Sequence, residues 1–265
     1  MSKIYITGDT HGFIDIDKIR EFRDGEEGRS LTKNDYLIVA GDFGGVWIGN
    51  PKPGTELYND LKAEGYLDYD KNVQEFWNKC PWTTLFIDGN HENFDALKEY
   101  PVSEWNGGKV QFITDSIIHL MRGQVFTING KKIFTMGGAR STDQYRRTEH
   151  ISWWKEEIPS KAEMQEAVNN LEKHNWKVDA VITHCCGTSL LPQVLWTGAD
   201  SDPLTQFLDR LEFTFDLKYK VWYFGHYHVD IDIDHKFIAL YDKVIELKLD
   251  EPEREHSFPD RDNAR

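Results

Sequence analysis

The 265-residue chain carries 31 Lys and Arg against 45 Asp and Glu, a net charge of −14. That balance argues against a surface built for long nucleic acid or an anionic membrane, both of which need a basic face. No apolar stretch reaches the roughly 18–20 residues of a membrane span, and three cysteines cannot build a disulfide framework. No basic-then-apolar leader precedes the first apolar run, so a cytoplasmic globular protein is expected.

From the N-terminus, the first element is a compact apolar run at Ile4–Thr7, a strand signal. Asp15 is a candidate N-cap for a short helix around 19–22. A second run covers Tyr36–Ala40, and a third covers 85–87. Between them, 52–69 is either a lid or a plain helical insert. Asn93 is a candidate cap for another short helix. From 110 to 136 the texture is strands without helices, with Asn129-Gly130 marking a two-residue hairpin. Ser160 and Glu163 form a capping box ahead of Met164, Ala167, Val168 and Leu171 at helical spacing. Further apolar runs lie at Ala180–Thr183 and Val221–Phe224.

Residues 228–248 read as additional strands. There Asp230, Asp232 and Asp234 alternate with Ile231 and Ile233 as the solvated face of a half-buried strand. From 251 the chain is charged and aperiodic, which predicts a domain over 1–250 and a poorly ordered tail over 251–265. Short β-branched and aromatic runs suit strands covered on both faces, hence an α/β sandwich with antiparallel additions.

Each of the five runs ends in a polar cluster: Gly8-Asp9-Thr10-His11-Gly12, Gly41-Asp42, Asp88-Gly89-Asn90-His91-Glu92, His184, and Gly225-His226-Tyr227-His228. Loops after the carboxyl ends of sheet strands converge on one edge, where ligands bind. The donors Asp9, His11, Asp42, Asn90, His184, His226 and His228 number seven, more than one ion needs and enough for two sharing a carboxylate. Hard oxygens with imidazole nitrogens and no obligatory thiolate point to Mn, Fe, Zn or a similar ion. Two such ions about 3.5–4 Å apart would clamp a phosphoryl group and activate water for in-line attack.

GDTHG, GDFGG, GNHE, TH and GHYH, in this order, resemble the signature of the calcineurin-like metallophosphoesterases. The resemblance implies a calcineurin-like four-layer α/β/β/α sandwich with a dimetal site at the C-terminal edge of the strands. It implies one metal on Asp9, His11 and His228, a second on Asn90, His184 and His226, and Asp42 bridging, with manganese the favoured ion. It also implies that His91 contacts the phosphate, alongside Asn90, and protonates the leaving oxygen. The expected activity is hydrolysis of a phosphate mono- or diester, the substrate being small and possibly a nucleotide.

The serine/threonine phosphoprotein phosphatases continue the second motif as GD-x-VDRG. Here Gly45 and Val46 stand where the aspartate and arginine would be, which disfavours that alternative and leaves the orienting partner of His91 open. A non-catalytic scaffold is a third reading, disfavoured by the intact donor set. The stretch Gly137 to Asp143, with Arg146, Arg147 and Trp153-Trp154, resembles a GG-x-x-S-x-D…R…WW pattern of a bacterial and phage subgroup. Within it Arg140 is the candidate phosphate binder. Arg146 and Arg147 read as a solvated face, and the two tryptophans as packing. Cys185 and Cys186 read as small buried residues.

Overall fold

The computed structural model describes residues 2–195, 201–247 and 249. Its strands are β1 (Ile4–Thr7), β2 (Tyr36–Ala40), β3 (Thr83–Ile87), β4 (Val102–Trp105), β5 (Gly108–Thr114), β6 (Ile117–Leu120) and β7 (Gln124–Ile128). They continue as β8 (Lys131–Met136), β9 (Ala180–Thr183), β10 (Val221–Phe224), β11 (Ile231–Ile233), β12 (Phe237–Ala239) and β13 (Ile245–Glu246). One sheet runs β13-β1-β2-β3-β6-β5-β4, the other β11-β12-β10-β9-β8-β7. β1, β2, β3 and β6 are parallel, as are β8, β9, β10 and β12, while hairpin strands flank each parallel core.

Alternation along each strand builds three apolar layers. Ile4, Ile6, Ile38 and Leu85 face Ile133, Ile182, Val221 and Tyr223 between the sheets. Their neighbours Tyr5, Leu37, Val39 and Phe86 turn outward against Ile19, Val73, Trp77 and Trp82. On the opposite side Phe134, Val181 and Trp222 pack under Met164, Ala167, Leu171 and Leu208. Both faces of each central strand are therefore covered by apolar atoms, and each fully buried side chain contributes roughly 1.5–3 kcal/mol. The order of layers is α/β/β/α, as the sequence led one to expect.

Local signals act where they were expected in most places. Asn129 (φ 53°) and Gly130 (φ 75°) both take the left-handed conformation that joins β7 to β8. The helix Lys161–Lys173 starts on the reciprocal Ser160–Glu163 box, and Asn93 caps Phe94–Leu97 through Ala96 N. Asp15 does not cap a helix. The helix Asp17–Asp24 begins after Ile16, and the Asp15 carboxylate is drawn instead to His11 and Tyr241.

The insert over 52–69 contains a helix, Glu56–Ala63, with no buried residue. Asp230 is not on a solvated strand face either: its carboxylate accepts the backbone N–H of Tyr241, Asp242 and Lys243. That clamp turns the chain from β12, in one sheet, toward β13, in the other. The 251–265 segment lies outside the described residues. Among those residues, no helix is long and apolar enough to cross a membrane.

Candidate metal centre

The turns that leave β1, β2, β3, β9 and β10 meet at one edge of the sandwich. There His228 Nε2 lies 3.1 Å from Asp9 Oδ2, and His11 Nε2 lies 3.1 Å from Asp42 Oδ2. His184 Nε2 is 3.2 Å from Asp42 Oδ2 and 3.2 Å from Asn90 Oδ1. Among the described residues, three groups have donor atoms all within 4.8 Å of one another: Asp9–His11–His228, Asp42–His184–His226 and His11–Asp42–His91. Asp42 and His11 each belong to two of them. All seven donors named from sequence thus gather at one place, with His91 beside them.

Four of these residues stand in the left-handed region: His11 (φ 42°), Asp42 (50°), His226 (69°) and His228 (52°). For a residue with a Cβ that conformation costs on the order of 1–2 kcal/mol. It is held by main-chain bonds across the site. Asp42 O accepts from Thr10 N and His11 N at 3.0 and 2.8 Å. Asp42 Oδ1 accepts from His91 N at 2.7 Å, and Asp9 Oδ1 from His226 N at 2.9 Å. The two neighbouring glycines leave no room for a side chain: a Cβ at Gly41 would collide with the His184 ring, and one at Gly89 with the Asp42 carboxylate.

Burial opposes charge on Asp42, yet the His184 charge and hydrogen bonds from His11 and His184 outweigh it and hold the carboxyl well below its usual range. Asp9 is lowered as well: burial opposes, while His228 and His184 prevail. His184 shows the reciprocal effect. Burial disfavours its charge, but Asp42 and Asp9 lift it to about 9. His226, pushed by burial and by the neighbouring His184, falls to about 4 and is a neutral donor at pH 7. Two buried carboxylates therefore impose a field that demands positive charge.

The residues fit a cation pair on their own chemistry. Asp9 Oδ2 is buried with no aligned hydrogen bond, its near neighbour being His228 Nε2 at 3.1 Å, an arrangement that is costly unless a positive group satisfies it. The donors are carboxylate, amide and imidazole, the set that suits Mn, Fe or Zn. The Asn90 side chain has its carbonyl on the His184 side, because its Nδ2 donates to Ser141 Oγ at 3.2 Å. Cys185 and Cys186 are buried, and burial pushes the Cys186 thiol up to about 12.

The phosphate-side residues fall differently from the sequence reading. Arg140 is exposed and, among the described residues, makes no hydrogen bond to the donor cluster. Arg147, read as a solvated residue, places NH1 3.4 Å from His91 Nδ1 and NH2 3.3 Å from His91 Nε2. Val46 is 1% exposed and packs in the outer core, so no side-chain charge comes from that position. Trp154 is fully buried and donates Nε1–H to Asp95 at 2.8 Å, consistent with packing.

The supporting contacts of four residues, Asp15, Tyr241, Glu92 and Asp88, went unrecognised in the sequence. Asp15 Oδ2 lies 2.7 Å from His11 Nδ1 while its Oδ1 accepts from Tyr241 OH; Tyr241 in turn stacks on His228 with ring centroids 4.5 Å apart. Glu92 accepts Phe43 N at 2.7 Å, and burial raises its carboxyl well above the ordinary range. Asp88 holds His119 at 3.0 Å and Arg122 at 2.6 Å inside the fold. The His-x-x-x-Asp spacing from His11 to Asp15 and the glutamate of GNHE were the available signals.

A two-sheet sandwich that collects such donors on one strand edge is one architecture of the phosphoric ester hydrolases. The chain belongs to the calcineurin-like phosphoesterase family, which residues 2–230 match. It is similar to the lariat debranching enzyme of Drosophila pseudoobscura pseudoobscura, 29% identical over 154 residues covering 56% of this chain and 25% of that protein. Lariat debranching enzyme A of Xenopus laevis is 28% identical over 151 residues, 55% of this chain and 25% of the relative. The chain spans about a quarter of the length of these curated relatives. Among solved structures, phosphopantetheinyl hydrolase from Mycobacterium tuberculosis aligns with a TM-score of 0.42 and 14% identity, covering 91% of this chain and 89% of that one.

Proposed function

We propose that this chain is a two-cation phosphoesterase that hydrolyses a nucleotide-like phosphate mono- or diester. The observation that carries the reading is the overlap of donor groups at Asp42, within reach of His11 on one side and His184 with His226 on the other. Asp9, His11 and His228 would hold one cation, Asn90, His184 and His226 the second, and Asp42 both, with manganese favoured. The bound pair would supply charge to the phosphoryl oxygens and acidify a water for attack.

The chain's own residues do the rest. His91 is the proton donor for the departing oxygen, since its ring adjoins the Asp42 group and its backbone is fixed by Asp42 Oδ1. Arg147, alongside that ring, is placed to orient it and to receive phosphate oxygens. Asp15 and Ser141 orient His11 and Asn90. A phosphodiester in a nucleotide frame is favoured by the lariat debranching relatives. Phosphoprotein phosphatase activity is disfavoured by the buried, uncharged Val46.

The test is a panel of mono- and diesters assayed with Mn, Fe, Zn, Ni and Mg in turn, on the wild type and Asp42→Asn. Expected are metal-dependent hydrolysis and a loss of several orders of magnitude in the variant. Hydrolysis indifferent to chelation, or an Asp42→Asn protein at wild-type rate, overturns the reading.

A further inference from the structure

A cavity of about 340 Å³ is lined by Arg140, Gln144, Trp153, Lys155, Glu157 and Asp202 among others. Its size falls in the range of small-ligand pockets, roughly 300–1,000 Å³. It is joined to the site by one short stretch of chain. Arg140 precedes Ser141, whose Oγ accepts from Asn90. Trp153 follows Ser152, whose carbonyl accepts from Arg147 at 3.1 Å. Two lining residues thus stand next in sequence to partners of Asn90 and of Arg147.

The chemistry of the lining selects that part. Arg140 and Lys155 are exposed and have no ion-pair partner among the described residues. Trp153 is half-buried and lines the same cavity. The two acids in the lining are already engaged. Glu157 accepts Ser141 N at 3.2 Å, and Asp202 accepts Leu204 N and Thr205 N at 2.7 and 3.0 Å. From 140 to 155 the chain carries Arg140, Arg146, Arg147 and Lys155 against only Asp143 and Glu149, a local positive excess within a protein of net charge −14. An indole and unpaired cations in one lining are what a base and its phosphate require.

We infer that this cavity is the nucleoside subsite: Trp153 stacks on the base of a nucleotide ester, and Arg140 with Lys155 neutralises its flanking phosphate. The inference rests on the phosphoesterase reading and names its substrate. The probes are thymidine 3′-phosphate 5′-(p-nitrophenyl phosphate), which carries a phosphate flanking the scissile diester, bis-p-nitrophenyl phosphate, a diester with the same leaving group, and adenosine 3′,5′-bisphosphate for binding by calorimetry.

Trp153→Ala and, separately, Arg140→Ala should raise KM for the thymidine ester about tenfold and leave both constants for the bis-p-nitrophenyl ester unchanged. Both variants should also weaken adenosine 3′,5′-bisphosphate binding about tenfold. Equal effects on the two esters, no effect on either, or a wild type that does not bind the nucleotide, overturns the subsite. If neither ester is hydrolysed by the metal-supplemented wild type while nucleotide binding is still lost in both variants, the subsite stands and the phosphoesterase reading fails.

Discussion

The guanidinium of Arg147 spans the imidazole of His91, one terminal nitrogen 3.4 Å from Nδ1 and the other 3.3 Å from Nε2. Reaching both ring nitrogens at once places it alongside the ring rather than end-on to a single lone pair. Asp143, 2.8 Å from Arg147 Nε, and the Ser152 carbonyl fix it there. A planar fork held on three sides cannot be replaced by an ammonium. Arg147→Ala is expected to lower kcat/KM by on the order of tenfold to a hundredfold, and Arg147→Lys to recover little of it. Steady-state kinetics of the two variants check this, and full recovery by lysine contradicts it.

His91→Ala separates proton donation from binding. A general acid matters in proportion to the basicity of the departing oxygen. Alkyl esters should lose on the order of 10²–10⁴ in kcat, p-nitrophenyl esters much less, and metal content should stay that of the wild type. Equal losses on both leaving groups would remove His91 from that role.

Asp15 orients His11 through the ring nitrogen turned away from the cluster, and it holds Tyr241 with its other oxygen. Removing such a partner typically costs 10–100-fold in metal affinity. Asp15→Ala is expected to weaken manganese binding by about that factor, measured by calorimetry, and Asp15→Asn by less. An unchanged affinity would make the contact incidental.

Asp88 sets an acid limit on stability. Burial opposes its charge, but Arg122 and His119 outweigh burial and hold the carboxyl at about 2, against 3.8 ordinarily. The folded value lies below the unfolded one, so the stabilisation is full above pH 4 and is lost as pH falls from about 4 to 2. That difference corresponds to about 2 kcal/mol. Arg122→Met leaves a buried carboxylate with one partner, so destabilisation of roughly 3–5 kcal/mol and an acid unfolding midpoint at higher pH are expected. Denaturant melts across pH 2–7 measure both. A midpoint unmoved by the substitution contradicts the assignment.

Much of the scaffold was legible because its strands are covered on both faces and so appear as unbroken apolar runs. Tyr36–Ala40, Ala180–Thr183 and Val221–Phe224 match β2, β9 and β10 to the residue. Glycine-polar clusters after those runs located the site, since topology alone sends them to one edge. What escaped notice depends on partners distant in sequence. Asp15 resembles a cap until His11 and Tyr241 claim it, and Asp230 resembles a strand residue until three amides from 241–243 converge on it. Arg140 and Arg147 are alike in composition. Only the turn at 143–147 and its Asp143 tether decide which of them reaches His91.

Anomalous diffraction from crystals grown with manganese addresses the shared carboxylate itself. The expected map has two peaks, one among Asp9, His11 and His228 and one among Asn90, His184 and His226, with Asp42 reaching both. A single peak, or peaks away from Asp42, would contradict it.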